Sequence, residues 1–137
     1  MTDRTEPDGA TTRSYEEKYD RFGSRSAAEA RIATLGSELP NGYTTRAQAA
    51  LIASELGLDE EGFLLDLGSG RGWPGSYVAE VTGCRLLAAD LPMNALVQAR
   101  ETLAPGLSRA AVVCADGRRL PLGDGLFDAV CHADVLC

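Results

Sequence analysis

The second half of the chain alternates short apolar segments with amphipathic ones, and this alternation constrains the fold more than any other feature. The apolar run at 63–67 has the length and composition of a buried strand, and 92–103 places Leu96, Ala99 and Leu103 on one face of a helix. Such strands, separated by helices, are typical of a parallel sheet with both faces covered. The sequence therefore predicts an α/β fold with a partial doubly wound parallel sheet. The expected strands lie at 63–67, 84–90, 109–116 and 126–136, and the expected helices between them at 73–81 and 92–103.

The first part of the chain predicts helices behind a polar leader. Residues 1–13 are mostly polar and are expected to form a disordered leader. Ser14 and Thr45 each begin a capping-box pattern, which marks the start of a helix, and Gly57 is placed to end the second of these helices. We therefore expect residues 14–61 to be helical, with helices at 14–22, 25–39 and 45–56.

Charge and hydropathy exclude several classes of partner. The chain has 13 basic and 20 acidic side chains, a formal net charge of -7, and no basic run longer than Arg118-Arg119. Nonspecific nucleic-acid binding needs clustered positive charge, so no nucleic-acid partner is expected. No apolar run approaches the roughly 18 residues that cross a bilayer, and the N-terminus lacks the apolar core of a secretory signal. We expect a cytoplasmic protein without a membrane partner.

Some residue types are too scarce for common kinds of chemistry. Lys18 is the only lysine and lies far from any glycine loop, which excludes a phosphate-binding P-loop. The only histidine is His132, and the four cysteines form no CxxC pair. Zinc sites need closely spaced ligands, so no metal site is expected.

The glycine-rich segment after the first strand allows two interpretations. Gly70, Gly72 and Gly75 match the G-x-G-x-x-G pattern of dinucleotide-binding proteins, and Asp90 follows at the expected spacing of about 20 residues. A loop at the carboxyl end of a parallel strand is where ligands bind in such folds. This frame predicts a nicotinamide-dependent oxidoreductase.

The other frame begins with an acid at the end of the strand. Asp66, Gly68, Gly70 and Gly72 form a D-x-G-x-G-x-G pattern. A carboxylate aimed into the pocket attracts a ligand that carries an ammonium group and repels a diphosphate. Charge therefore favours this second frame.

The acidic frame and the motifs after it resemble the class I, Rossmann-like methyltransferases that use S-adenosylmethionine. The resemblance rests on the glycine loop, on Asp116-Gly117 after the third strand, on the step at 120–122, and on Phe127-Asp128 at the start of the fourth strand. Leu122 stands where an aromatic residue is commoner in the family. The resemblance covers residues 43–137 and is specific for the family but not for a substrate.

The resemblance implies a role for each residue of a cofactor site. In the family, the Asp66 position holds the methionine ammonium group and the Asp90 position accepts from the ribose hydroxyls. Leu91 would pack on the adenine face, Asp116 would accept from the adenine amino group, and the Gly117 N–H would meet the ring. The implied S-adenosylmethionine-binding set is Asp66, Gly68, Gly70, Asp90, Leu91, Asp116 and Gly117.

The resemblance also sets expectations for architecture and function. It implies a sheet ordered 3-2-1-4 at 62–137 without the family's later strands, a helical lid at 14–61, and thus a piece of a longer enzyme with impaired activity. The implied function is methyl transfer to a small-molecule acceptor. Alternatives are an NAD(P)-dependent oxidoreductase fragment or a non-catalytic remnant of the fold.

Overall fold

A parallel sheet and the helices packed on it make up the structure, a computed structural model that describes residues 9–22, 44–103, 106–133 and 135. The sheet order is β3-β2-β1-β4, with every strand parallel to its neighbour. The predicted α/β class and strand order are confirmed. In chain order the elements are α1 (Gly9–Phe22), α2 (Arg46–Leu56), β1 (Phe63–Leu67), α3 (Gly75–Thr82), β2 (Arg85–Asp90), α4 (Met93–Leu103), β3 (Ala110–Cys114) and β4 (Ala129–Cys131).

The ends of α2 follow its local sequence. The Thr45 side chain accepts from the Gln48 N–H while the Gln48 side chain accepts from the Thr45 N–H, so the predicted capping box is present. Gly57 ends the helix with φ 58°, and Gly83 ends α3 in the same way with φ 76°. The end of α2 at Gly57 agrees with the prediction from the sequence. The helix expected at 73–81 begins instead at Gly75, because Pro74 serves as its N-cap residue.

The core lies between β1 and β2 and the helices that cover them. Leu64 and Leu86 on the sheet and Val78 on α3 are almost fully buried, and small side chains such as Ala88 let the helices approach closely. On α4 the buried stripe is Ala95, Leu96, Ala99 and Leu103, which includes the three residues expected from the helical spacing.

Helix α1 corrects the expected start of the N-terminal helix. It begins at Gly9, so Gly9–Arg13 are helical rather than part of a disordered leader, and Ser14 lies inside the helix rather than at its cap. The Arg13 Nε–H donates to the Gly9 carbonyl, which stabilises this first turn. Asn94 of α4 donates through Nδ2 to the carbonyl of Glu16, fixing α1 against α4. The helix expected at 25–39 lies outside the described residues.

Strand β4 is shorter than the expected 126–136 because the chain is tied down before it. Asp128 accepts from the Phe63 N–H through its carboxylate and donates its own N–H to the Phe63 carbonyl, which fixes the entry to β4. Phe127 packs on the Phe63 ring at 4.6 Å between centroids. Within the described residues, β4 forms an edge of the sheet. No helix among the described residues has the length and apolar character required to cross a membrane.

Candidate functional site

The candidate site is the edge of the sheet where the parallel strands end. Leu67 is aligned with Ala89, Asp90 with Cys114, and Asp66 with Cys131. The last residues of these strands and the loops that follow them therefore lie at the same edge, and together they carry every residue of the expected cofactor set. Ligands of doubly wound sheets bind at this edge, next to the strand where the order reverses, which here is β1.

A tight glycine turn follows β1. Gly68, Gly70 and Gly72 have φ values of 73°, 53° and 95°, a region that L side chains rarely adopt. The N–H groups of Gly68 and Ser69 both donate to the Ala89 carbonyl, at 2.7 and 3.1 Å, so the turn folds over the end of β2. Gly70 and Gly72 belong to both frames, whereas Gly68 belongs only to the frame that starts at Asp66.

Gly75 has a different role from the glycines of the turn. It is the first residue of α3, and a β-carbon there would lie 2.5 Å from the Asp66 Oδ2 atom. The Gly75 N–H donates to that same oxygen at 2.9 Å. Gly75 thus makes room for a carboxylate, which is the group that would repel a diphosphate in the dinucleotide frame.

Asp66 is fully buried, and only one of its two carboxylate oxygens has a hydrogen-bond donor. Its Oδ2 accepts from Gly75, while its Oδ1 is buried without a hydrogen-bond partner. Burial raises the pKa of Asp66 to about 7, the Gly75 N–H opposes the shift, and the negative charge of Asp90 adds to it. Burial, with the Asp66 charge, likewise raises the pKa of the neighbouring Cys131 thiol to about 12. A cationic hydrogen-bond donor at Oδ1 would therefore stabilise the ionised form of this carboxyl group.

Asp90 holds the glycine turn and keeps spare acceptor capacity. Its Oδ2 accepts from the Gly70 N–H and its Oδ1 from the Leu91 N–H, both at 2.7 Å. Burial raises its pKa, and these two N–H groups oppose the rise. An ionised carboxylate offers about four lone-pair positions, so roughly half remain for hydroxyl donors. The half-buried Leu91 follows directly and fixes β3 through its carbonyl, which accepts from the Cys114 thiol.

Asp116 is the one expected site residue whose side chain forms an ion pair with another side chain. Its Oδ1 accepts from the Arg118 N–H and Nε–H, and its Oδ2 accepts from Arg118 Nη2 at 2.6 Å. The guanidinium hydrogen bond, followed by the backbone hydrogen bond, lowers the pKa of Asp116 to about 2. Gly117 is exposed, and a β-carbon there would lie 3.4 Å from the Leu67 side chain at the end of β1.

Three residues that the sequence did not single out contribute to the site. Ser69, between two glycines, has a buried hydroxyl without a partner. The Val135 side chain covers Gly68, since a β-carbon at Gly68 would overlap Val135 Cγ2. Trp73 donates its indole N–H to the Thr44 carbonyl at 2.9 Å and ties the loop to the start of α2. A bulky aromatic residue among glycines is the one signal that could have indicated an anchor.

The residues fit the expected cofactor unequally. At the β1 end, an unpartnered carboxylate oxygen beside left-handed glycines suits an amino-acid head group that carries an ammonium ion. Asp90 has room for ribose hydroxyls. At the β3 end, Arg118 already occupies the carboxylate expected to face adenine.

Sheet order, glycine turn and edge acids together define a Rossmann-like fold, a class in which nucleotide-type ligands bind at this edge of the sheet. The family described as "Methyltransferase domain" matches residues 64–137, and the chain belongs to this family. The resemblance noted in the sequence is confirmed. A search of curated proteins gives no significant match.

Solved structures give the same fold. A SAM-dependent methyltransferase from Aquifex aeolicus is 21% identical with a TM-score of 0.60, covering 85% of this chain and 55% of that chain. One from Thiobacillus denitrificans, in complex with S-adenosyl-L-homocysteine, is 21% identical with a TM-score of 0.60, covering 77% and 43%. The [4+2]-cyclase SpnF is 30% identical with a TM-score of 0.57, covering 61% and 32%. The chain therefore spans at most 55% of each of these neighbours.

Proposed function

We propose that the chain binds S-adenosylmethionine at the carboxyl edge of its sheet and forms the cofactor-binding part of an enzyme that methylates a small molecule. The observation that carries the proposal is the unpartnered Oδ1 of Asp66 beside the left-handed glycine turn. A buried carboxylate oxygen needs a donor, and an ammonium group is a strong one. The family assignment and the S-adenosyl-L-homocysteine held by the Thiobacillus denitrificans neighbour support the same cofactor.

Each residue then has a defined part in binding. Asp66 holds the ammonium group, Gly68 and Gly70 let the ligand approach the backbone, and Asp90 accepts from the ribose hydroxyls. The remaining contacts to the adenine come from the Leu91 side chain and the backbone at Gly117. Asp116 takes part only when Arg118 releases it, since Arg118 donates to both of its carboxylate oxygens.

When bound, S-adenosylmethionine supplies an electrophilic methyl group. The chain's own contribution is to hold the donor in a fixed orientation, and orientation can account for much of the acceleration of such a transfer. His132 and Ala133 follow β4 at the same edge, with His132 exposed, and would lie near the acceptor. We assign no general base to this chain.

A small-molecule acceptor suits the charge of the chain. A net charge of -7 with no run of basic residues repels a polyanion, and a nucleic-acid substrate would need the opposite charge. The segment at 14–61, which the sequence predicts to be helical, would act as the lid over the cofactor. Helix α1 packs on α4, whose first residues follow the Asp90 loop, which is where such a lid would lie.

Calorimetric titration tests the proposal against its alternatives. We expect S-adenosyl-L-homocysteine to bind and NAD not to bind. NAD binding alone would favour the oxidoreductase frame at Gly70, Gly72 and Gly75, and binding of neither would favour a fold remnant. Because one neighbour of this fold, SpnF, is a cyclase, methyl transfer is measured separately, with radiolabelled S-adenosylmethionine and a panel of small acceptors.

A substitution at Asp90 tests the proposed site directly. Asp90→Ala removes an acceptor for the ribose and should weaken S-adenosyl-L-homocysteine binding by about 1–3 kcal/mol. Glu61→Ala is the matched control, because Glu61 is an exposed carboxylate just before β1 at the opposite edge of the sheet. Unchanged affinity in a folded Asp90→Ala protein would remove Asp90 from the site.

A further inference from the structure

Trp73 is the only tryptophan of the chain, and it stands in the glycine-rich loop directly after Gly72. Its side chain is buried, and its indole N–H donates to the Thr44 carbonyl at 2.9 Å. Thr44 is buried as well, so this hydrogen bond lies largely away from water. Turns normally use small or polar residues. A large buried indole in this loop therefore indicates a role for its ring or for its N–H.

The hydrogen bond connects the loop to a fixed point of the helical layer. Thr44 directly precedes the capping box that begins at Thr45 and fixes the first turn of α2. A second contact joins the same parts of the chain. The Trp73 ring packs on Tyr77 with 5.8 Å between centroids, and the Arg46 guanidinium lies 4.9 Å from the centroid of the Tyr77 ring. The first turns of α2 and α3 are therefore connected through Trp73.

Trp73 also lies between two parts of the candidate site. Just before it, Gly72 has a φ of 95° and donates its N–H to the Ser69 carbonyl at 2.8 Å, which closes the glycine turn. Two residues after it, the Gly75 N–H donates to the Asp66 carboxylate at 2.9 Å. A shift of the Trp73 indole would therefore displace the turn, the donor to Asp66, or both.

A turn rich in glycine is costly to order. Glycine loses more conformational freedom on folding than any other residue. A contact that orders the turn before the ligand arrives lowers the free-energy cost of binding. We propose that Trp73 is a positioning residue, whose indole N–H holds the glycine turn in its binding conformation through the Thr44 carbonyl. This inference rests on the proposed function and adds to it a residue that acts without touching the ligand.

Binding kinetics distinguish positioning from direct contact. Without the indole N–H, fewer molecules hold the turn ready, so association with S-adenosyl-L-homocysteine should slow by about threefold to tenfold, the equivalent of one hydrogen bond. Dissociation should change by less than about twofold, whereas the loss of a contact to the ligand acts mainly on dissociation. Surface plasmon resonance with S-adenosyl-L-homocysteine as the analyte measures both rates.

Two replacements remove the N–H and keep an aromatic ring. Trp73→Phe is the simpler one, but its ring is smaller. Because Trp73 is the only tryptophan, growth on 3-benzothienylalanine in place of tryptophan exchanges this residue alone. The replacement has the shape of the indole, with sulfur in the position of the N–H, so the packing against Tyr77 is kept.

Val78→Ala is the matched control for a general loss of stability. Val78 is fully buried on α3, so its truncation destabilises the fold but leaves the hydrogen bond between Trp73 and Thr44 in place. Its association and dissociation rates should equal those of wild type. Thermal unfolding of each protein shows that the rates are measured on folded molecules.

Three results would overturn the assignment of Trp73 and leave the proposed function standing. They are unchanged association in the benzothienylalanine protein, a loss of affinity that lies in dissociation, and an equal slowing of association in Val78→Ala. A wild-type protein that does not bind S-adenosyl-L-homocysteine would overturn the proposed function, and the assignment with it.

Discussion

The two ends of the candidate site each carry an aspartate, and the two aspartates are in opposite states. Asp66, near the end of β1, is fully buried with one oxygen unpartnered, and burial raises its pKa to about 7. Asp116, after β3, accepts from the guanidinium of Arg118, which lowers its pKa to about 2. At the β1 end, one carboxylate oxygen of Asp66 lacks a hydrogen-bond donor. At the β3 end, the protein supplies the donor to Asp116 through Arg118.

This difference shows where a ligand would gain most. A ligand at Asp66 supplies a partner to a buried atom that lacks one, so little existing interaction is lost on binding. A ligand at Asp116 has to compete with a charged donor. We therefore expect affinity to come mainly from the β1 end and the adenine to be held more loosely. Three predictions test this contrast, beginning with the largest effect.

The pH dependence of stability should reveal Asp66. Its folded pKa is raised from 3.8 to about 7, so the folded protein keeps a proton there that the unfolded chain has released. The unfolding free energy should therefore fall as pH rises through this window and level off above it. The fall should be on the order of a few kcal/mol, and Asp66→Asn should remove it. Urea unfolding at a series of pH values measures the effect.

The control and the contradicting result are both simple. Asp59→Asn removes an exposed carboxylate in the loop before β1 and should leave the slope in place. If the curves of wild type and Asp66→Asn run parallel across the window, Asp66 is already ionised in the free protein. The contrast with Asp116 would then fail.

Most of the fold could be predicted because its signals are local. The capping box at Thr45 and the glycines at Gly57 and Gly83 are short patterns that each indicate one helix end. The strands are recognisable from their apolar composition. The start of α1 at Gly9 could not be predicted in this way. The helix is held against α4 by Asn94, a contact between residues far apart in the chain that no local pattern encodes.

The site was predicted as a set of positions but not as a set of hydrogen bonds. Sequence patterns placed Asp66, Asp90 and Asp116 at one edge, and the strand register shows why. They could not tell that Arg118 pairs with Asp116 or that Ser69 is left without a partner. Both facts depend on the backbone conformation of a few loop residues, and neither hydrophobic periodicity nor composition encodes that conformation.

Packing around Asp66 gives the second prediction. Gly75→Ala places a methyl group 2.5 Å from Asp66 Oδ2 and 2.7 Å from its Cβ, so the helix or the carboxylate has to shift. We expect a loss of about 1–3 kcal/mol in the free energy of unfolding. Gly106→Ala, where nothing lies within 4 Å of the added carbon, should change stability by less than about 0.5 kcal/mol. Similar losses in the two variants would mean that Asp66 is not held tightly against α3.

The smallest effect is expected at the opposite end. Arg118→Ala leaves Asp116 with a single donor, the backbone N–H of residue 118. Stability should hardly change, because the Arg118 side chain is 67% exposed and exposed ion pairs contribute little. The freed carboxylate can accept from the adenine amino group, so affinity for S-adenosyl-L-homocysteine should rise by a factor of a few.

Two further measurements, at raised salt concentration and with a variant of Arg119, distinguish the release of Asp116 from an effect of net charge. Raising the salt concentration screens an exposed pair, so wild-type affinity should move toward that of Arg118→Ala, while the variant responds little. Arg119→Ala changes the net charge equally but leaves the Arg118 pair in place. If Arg119→Ala strengthens binding as much as Arg118→Ala, the gain comes from net charge and the pair does not compete with the ligand. If only Arg118→Ala raises the affinity for S-adenosyl-L-homocysteine, the Arg118–Asp116 pair has to break when the β3 end binds the ligand. The β1 end, by contrast, gains a hydrogen bond without losing one.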